Sequence, residues 1–479
     1  MYKLSVNKNQ IVDSLGQPVY LRGVCVGGWM NMENFINGYP GSEHGIREAL
    51  AHEIGEGKAQ IFFDRWLDYF FAEEDVAYIA SLGANVVRLA LNYRHFESDA
   101  EPFKYRAQGF ARLERIVKLC AKHDVYVILD LHAVQGWQSP DWHCDNANAP
   151  ALFWMHPHFQ ERWIALWQEL ARRYKDNATI AGYDVVNEPL SDSPLRVETF
   201  GTINRLYRRV VQAIRDVGDD HIIFLEGNNF GAHLNGFEPP FADNLVYSGH
   251  SYSPAASEPG VYPGTFLGHY FDATAMEQSH LQHEAAQYAQ KYNVPLWIGE
   301  FGAPVNGAAN EVPYRLCALD DQITAFEKHW HHWTIWTYKD VGVMGLMMVS
   351  PQSEYLQLNA HVLDLKFQLE ADAWMTWLPP STTRIKMNEL AAQIQQTIGD
   401  PGISELLVRQ NLARGVMTNL ISTLLEPLWA KQFRGMSEDD LDRILQSFAF
   451  RNCTPHAGLT GVVKRHLQSE RESMNAMTA

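Results

Sequence analysis

Short apolar runs rich in β-branched residues recur through residues 20 to 340, separated by longer stretches in which apolar residues return every three or four positions. Eight such runs stand at 20–28, 84–91, 125–132, 180–188, 221–227, 245–252, 294–302 and 331–339. Each predicts a parallel strand buried on both faces. Between them, 110–123 sets Leu113, Ile116, Val117 and Cys120 on one stripe, and 200–216 does the same with Ile203, Leu206, Tyr207 and Val210, so both predict helices. The alternation is that of repeated βα units, and eight units predict an α/β protein of the closed (β/α)8, or TIM, barrel type. A doubly wound open sheet is the alternative. Its first strand-to-helix turn ordinarily carries a glycine-rich phosphate loop, and the chain has no such fingerprint.

Residues 34–73 are expected as a long insertion after the first strand, with Asn37, Gly38, Pro40 and Gly41 marking turns. Loops of that length inside a domain are usually lids or binding loops. Residues 340–382 predict an extended final loop and a return helix, broken at Pro379-Pro380. From 383 the apolar residues Leu406, Leu407, Val416, Leu420, Ile421, Leu424 and Leu425 follow helical spacing, and Ser437 with Asp440 forms a capping-box pattern. The expected organisation is a barrel domain over 1–382 and an all-helical C-terminal appendage over 383–479, its apolar stripes buried against the barrel or a second copy of the chain.

The 479 residues are 46% hydrophobic and 20% charged, which excludes a disordered or collagen-like chain. Lys plus Arg number 39 against 56 Asp plus Glu, a net charge of −17, so nucleic acid is repelled at long range and is not an expected partner. No stretch approaches the roughly 18 apolar residues of a membrane span, and the N-terminus lacks the basic head and apolar run of a signal peptide, so a cytoplasmic protein is expected. The five cysteines are scattered without any Cys-x-x-Cys pair, which predicts reduced thiols and no structural zinc.

Polar residues that a buried strand would avoid gather at the ends of these runs: Arg88, Asp130 and His132, Asn187 and Glu188, Glu226 and Asn228, His250 and Tyr252, Glu300, and Trp336. In a (β/α)8 barrel the strand C-termini converge on one rim, where active sites are built. Two carboxylates across such a mouth, Glu188 and Glu300, are what glycoside hydrolysis needs: one protonates the departing oxygen, the other attacks or activates water at the anomeric carbon. Val185-Val186-Asn187-Glu188-Pro189 at the fourth run, with Gly299-Glu300-Phe301-Gly302 at the seventh, resembles the family 5 glycoside hydrolases, the cellulase family of clan A, over roughly residues 18 to 340.

That resemblance implies a retaining double displacement with Glu188 as acid/base and Glu300 as nucleophile. It further implies Arg88 and Tyr252 beside the nucleophile, His250 as a rim histidine, Asn187 on the sugar 2-hydroxyl, His132 as another sugar ligand and Trp336 as an apolar platform. The opening Arg22-Gly23-Val24-Cys25-Val26-Gly27-Gly28-Trp29-Met30-Asn31-Met32-Glu33 is similar to the exo-1,3-β-glucanase branch of the family, which carries over Glu33 as a holder of the terminal sugar. Asn34 and Phe35 depart from the Pro and Trp of that branch. Gly136 and Gln138 match its third loop, with Trp137, Trp142 and His143 as further platform candidates.

The reading that follows is a retaining, exo-acting β-glycosidase of the β-glucosidase type, acting on terminal β-linked sugars of short oligosaccharides or glycosides. A β-mannosidase or endo-β-1,4-glucanase is the alternative within the family, and a catalytically silent carbohydrate-binding barrel the alternative outside it. Neither His143-Cys144-Asp145 nor His329, His331 and His332 has metal-ligand spacing, so no metal or cofactor is expected. For Glu33, pairing with a rim cation such as Arg22 is the competing structural role.

Overall fold

The computed structural model describes residues 1–190, 200–371, 375 and 377–478 of the chain. Eight parallel strands close into a barrel: β1 (Arg22–Met30), β2 (Val86–Asn92), β3 (Tyr126–Ala133), β4 (Ile180–Asp184), β5 (Ile222–Glu226), β6 (Leu245–His250), β7 (Leu296–Glu300) and β8 (His332–Ile335). Neighbours in the chain are neighbours in the ring, and β8 returns to β1 with Trp333 beside Arg22 and Ile335 beside Val24. Helices packed outside the ring, among them Glu73–Leu82, Ala107–Lys122, Pro157–Tyr174, Phe200–Asp216 and Val312–Lys328, complete a (β/α)8 barrel.

Two strands are shorter than their apolar runs, and both differences fall at the site. β4 stops at Asp184, and four residues on, Glu188 has a φ of 44°, a left-handed backbone that no ladder continues through. β8 stops at Ile335, which leaves Trp336 just beyond the strand.

The lower end of the barrel is plugged by a hairpin, Leu4–Asn7 with Gln10–Asp13, whose Leu4 and Ile11 pack with Leu21, Val86, Phe224 and Trp297. Only the C-terminal rim is left for a site. His332 lies at the plugged end, where its Nδ1 accepts from the Leu21 amide (3.1 Å), and neighbouring His331 pairs with His280 (2.7 Å).

The insertion expected as a loop is helical: Asn34–Asn37, Glu43–Ile54 and Glu56–Phe70. Ser42 caps the second of these by accepting from the Gly45 amide, and Phe62, Phe63, Trp66, Leu67 and Phe70 give the third a fully buried face. The turn residues 37–41 mark only the link between helices. That buried face meets the C-terminal region: Phe62 packs on Phe433 (5.0 Å between centroids) and Trp66 on Phe448 (4.3 Å). Aromatic contacts of this size bind the insertion to the appendage.

The C-terminal region is mostly helical, with one strand, Cys453–Pro455, pairing antiparallel to Met347–Val349. The Ser437–Asp440 capping box forms as expected. The apolar stripes bury only in part: Leu425, Leu441, Ile444, Leu445 and Phe448 are buried, whereas Leu406, Val416, Leu420 and Leu424 are exposed. Residues Leu412–Ile421 are wound as a π-helix, so three- and four-residue spacing no longer selects one face there. All five cysteines are unpaired, and among the described residues no helix is long and apolar enough to cross a membrane.

Candidate active site

The floor of the barrel mouth is built on Arg88, fully buried at the middle of β2. Its guanidinium donates to Asp184 (2.9 Å), Asn187 (2.8 Å), Glu226 (2.8 Å) and Glu300 (2.8 Å), and lies 3.2 Å from Asp130. One fixed cation thus orients five groups from four strands, β3, β4, β5 and β7, the geometry a rigid planar fork provides and a lysine does not. With so many carboxylates on one cation, burial and the neighbouring Glu226 push Asp184 well above the usual carboxylate range. Burial opposes ionisation of Glu226 too, but His250, Arg88 and the Glu188 amide outweigh it and hold its pKa at about 2.

Above the floor stand the two glutamates. Glu300 ends β7; its Oε1 accepts from Arg88 and its Oε2 from the Tyr252 hydroxyl (2.9 Å), so two donors fix the carboxylate. Glu188 is held from below, where its backbone amide donates to Glu226 Oε2 (2.7 Å), and from the side by His250 Nδ1, 2.8 Å from its Oε1. His250 also lies 3.2 Å from Glu226 and 3.6 Å from Glu300. One carboxylate oxygen each of Glu188 and Glu300 and one ring nitrogen of His250 fall within 4.8 Å of one another. A cation could be held by such a trio only if His250 were neutral. Burial disfavours its charge, yet Glu226, Glu300 and Glu188 prevail and hold its pKa well above the ordinary value, and an imidazolium has no lone pair to give.

On the other side of the mouth, Glu33, three residues after β1, is 2% exposed and sits 3.3 Å from His132 Nε2. Burial pushes Glu33 up to about 7. His132 is bonded through Nδ1 to Asp130 (2.7 Å); burial alone would lower its pKa, but Asp130 and Glu33 raise it to about 10. Trp336 lies flat on His132, with ring centroids 5.0 Å apart and 7° between planes. Space for Trp336 comes from Gly27, where a Cβ would stand 2.6 Å from the indole. Gln138 ties this half together by donating to the carbonyls of His132 (2.7 Å) and Asn187 (2.9 Å).

The structure therefore brings all nine expected residues, Glu33, Arg88, His132, Asn187, Glu188, His250, Tyr252, Glu300 and Trp336, to one rim. Arg22 is not the partner of Glu33: it opens β1 at the plugged end and pairs with Glu327 (3.0 Å). Of the platform candidates, His143 lies 3.6 Å from Glu188, and Trp142 is nearly buried beside it. Trp137 instead packs on His44 of the insertion (6.2 Å). Asp184, Asp141, Phe230 and Arg414 were not singled out by sequence. Asp184 could have been found as a carboxylate ending a buried strand and Phe230 as part of the loop just after β5, whereas Arg414 reaches the site through packing distant in sequence.

Comparison with known proteins points to one family. The model of the cellulase family, glycosyl hydrolase family 5, matches residues 51–342. A β-xylosidase of Phanerodontia chrysosporium is 38% identical, covering 97% of this chain and 98% of its own. A probable glucan 1,3-β-glucosidase A of Emericella nidulans is 24% identical over 68% of this chain and 86% of its own. Among solved structures, an endogalactoceramidase superposes with a TM-score of 0.51 at 19% identity, covering 71% of this chain and 75% of that one, a likeness of fold.

Proposed function

The chain belongs to glycosyl hydrolase family 5, and from that premise we propose that it is a retaining, exo-acting β-glycosidase that removes terminal β-linked glucose or xylose from short oligosaccharides or glycosides. The observation that carries the reading is the spacing of Glu188 and Glu300, one carboxylate oxygen of each lying within 4.8 Å of the other. Retaining enzymes hold their carboxyl groups about 5 Å apart, whereas inverting ones need about 6.5 Å or more to admit a water.

In the reaction so derived, Glu300 attacks the anomeric carbon while Glu188 donates its proton to the departing oxygen. Water then enters, gives a proton to Glu188 and releases the sugar from Glu300. Tyr252 and Arg88 hold the nucleophile in line, and Asn187 is placed for the 2-hydroxyl. Exo attack is supported by Glu33 and His132, a buried charged pair behind the catalytic carboxylates, and by the helical insertion around them. Glucose is favoured by the likeness of the first strand to exo-glucanases, xylose by the β-xylosidase relative. A reducing, cytoplasmic setting is supported by the five unpaired thiols.

The test is a panel of chromogenic β-glucoside, β-xyloside, β-mannoside and β-galactoside, run on wild type, Glu188→Gln and Glu300→Gln. Turnover of the glucoside or xyloside is expected, with a loss of at least about 1,000-fold in Glu300→Gln at unchanged melting temperature. Near-normal activity of that variant refutes the assignment.

A further inference from the structure

Resting on that reading, we infer that the C-terminal segment 412–426 walls the leaving-group side of the site, and that Arg414 is its specificity-determining side chain, donating to hydroxyls of a sugar leaving group. An acid that protonates the departing oxygen must have the leaving group beside it, on the side of Glu188 turned away from His250. His143 Nε2 stands there, 3.6 Å from Glu188 Oε2, while His250 takes Oε1. The His143 ring meets Phe230 (6.2 Å between centroids), and the Arg414 guanidinium lies over Phe230 at 4.7 Å. Arg414 Nε also pairs with Asp141 (3.2 Å), two residues before His143.

The segment is anchored on both flanks of the mouth. Asn419 donates to the Pro140 carbonyl (3.0 Å), Ser422 Oγ accepts from the Gly41 amide (2.7 Å), and Glu426 accepts from the Ser42 amide (3.1 Å). It thus bridges the loop after β3 and the insertion after β1. Its π-helical winding is a form concentrated at functional sites. Arg414 keeps 36% of its side chain exposed, so its guanidinium is open to donate to an incoming hydroxyl. The wall also lies beyond residue 342, where the match to the shared family domain ends, so it can set a preference that this domain alone does not.

The experiment compares two substrates with the same terminal sugar: its β-linked disaccharide and its 2,4-dinitrophenyl glycoside, whose leaving group needs neither protonation nor hydroxyl contacts. For Arg414→Ala, kcat/KM on the disaccharide is expected to fall about 10- to 100-fold, carried mainly by KM, as loss of a charge-assisted hydrogen bond predicts. The dinitrophenyl glycoside should change less than twofold. Arg414→Gln, which keeps a stem over Phe230, is the second variant and should show the same split at wild-type melting temperature. Equal losses on both substrates, or none on the disaccharide, overturn the inference while leaving the glycosidase reading intact. A wild-type enzyme that cleaves neither substrate overturns both.

Discussion

Glu33 is a carboxylate kept at a cost to the folded protein, and replacing it separates binding from stability. Its pKa is raised from 4.5 to about 7 by burial, which at about 1.4 kcal/mol per pH unit means that ionising it in the empty site costs about 3 kcal/mol more than in water. A group whose folded pKa is raised contributes its full stability below the unfolded value and loses it as pH rises through the folded one. Wild type therefore carries this burden at pH 8 and is free of it near pH 4.5. Glu33→Gln keeps size and removes the charge, so its melting temperature should exceed that of wild type at pH 8 and match it near pH 4.5. Sugar binding moves the other way. Hydroxyls of a terminal sugar donate to the ionised carboxylate, and losing that charge assistance should cost about 1.5 to 3 kcal/mol, roughly 10- to 150-fold in kcat/KM at pH 8. The assay is steady-state kinetics on a short oligosaccharide paired with melting curves at both pH values. Unchanged kinetics with a lower melting temperature at pH 8 would refute the reasoning and make Glu33 a structural partner of His132.

Tyr252→Phe removes one of the two donors that fix Glu300 while keeping the ring; kcat should fall about 10- to 100-fold with little change in melting temperature, measured by kinetics and calorimetry on the same preparation. Glu426, pushed up to about 7 by burial, anchors the C-terminal segment to Ser42 and should make wild type less stable as pH rises from 4.5 through 7. Glu426→Gln should flatten that decline in melting temperature between pH 5 and 8, and an unchanged slope would contradict the assignment.

The barrel was legible in the sequence because burial on both faces leaves a parallel strand no freedom of composition: Val86-Val87 and Ile222-Ile223-Phe224 can hardly be anything else. The site residues were legible for the converse reason, since Arg88 or Glu300 inside such a run is intolerable without a partner, and the partner had to be another strand end. The insertion was misread because its turn residues, 37–41, precede a helical pattern whose apolar face, Phe62 to Phe70, belongs to a partner more than 350 residues away. The N-terminal hairpin escaped notice because each strand has only four residues. Arg414 carries no local signal at all: it is one arginine in an otherwise apolar helix until packing sets it over Phe230. The same holds for Leu420, whose spacing predicts burial and whose π-helical backbone turns it outward.

The central claim is that Glu188 and Glu300 stand close enough for a covalent double displacement and too close for a water between them. The anomer of the first product tests it most directly. Hydrolysis of the preferred β-glycoside, followed by proton NMR before mutarotation sets in, should show the β-anomer appearing first and the α-anomer growing only as the released sugar equilibrates. An α-anomer formed first would mean inversion by direct attack of water, and would contradict the account of the two glutamates.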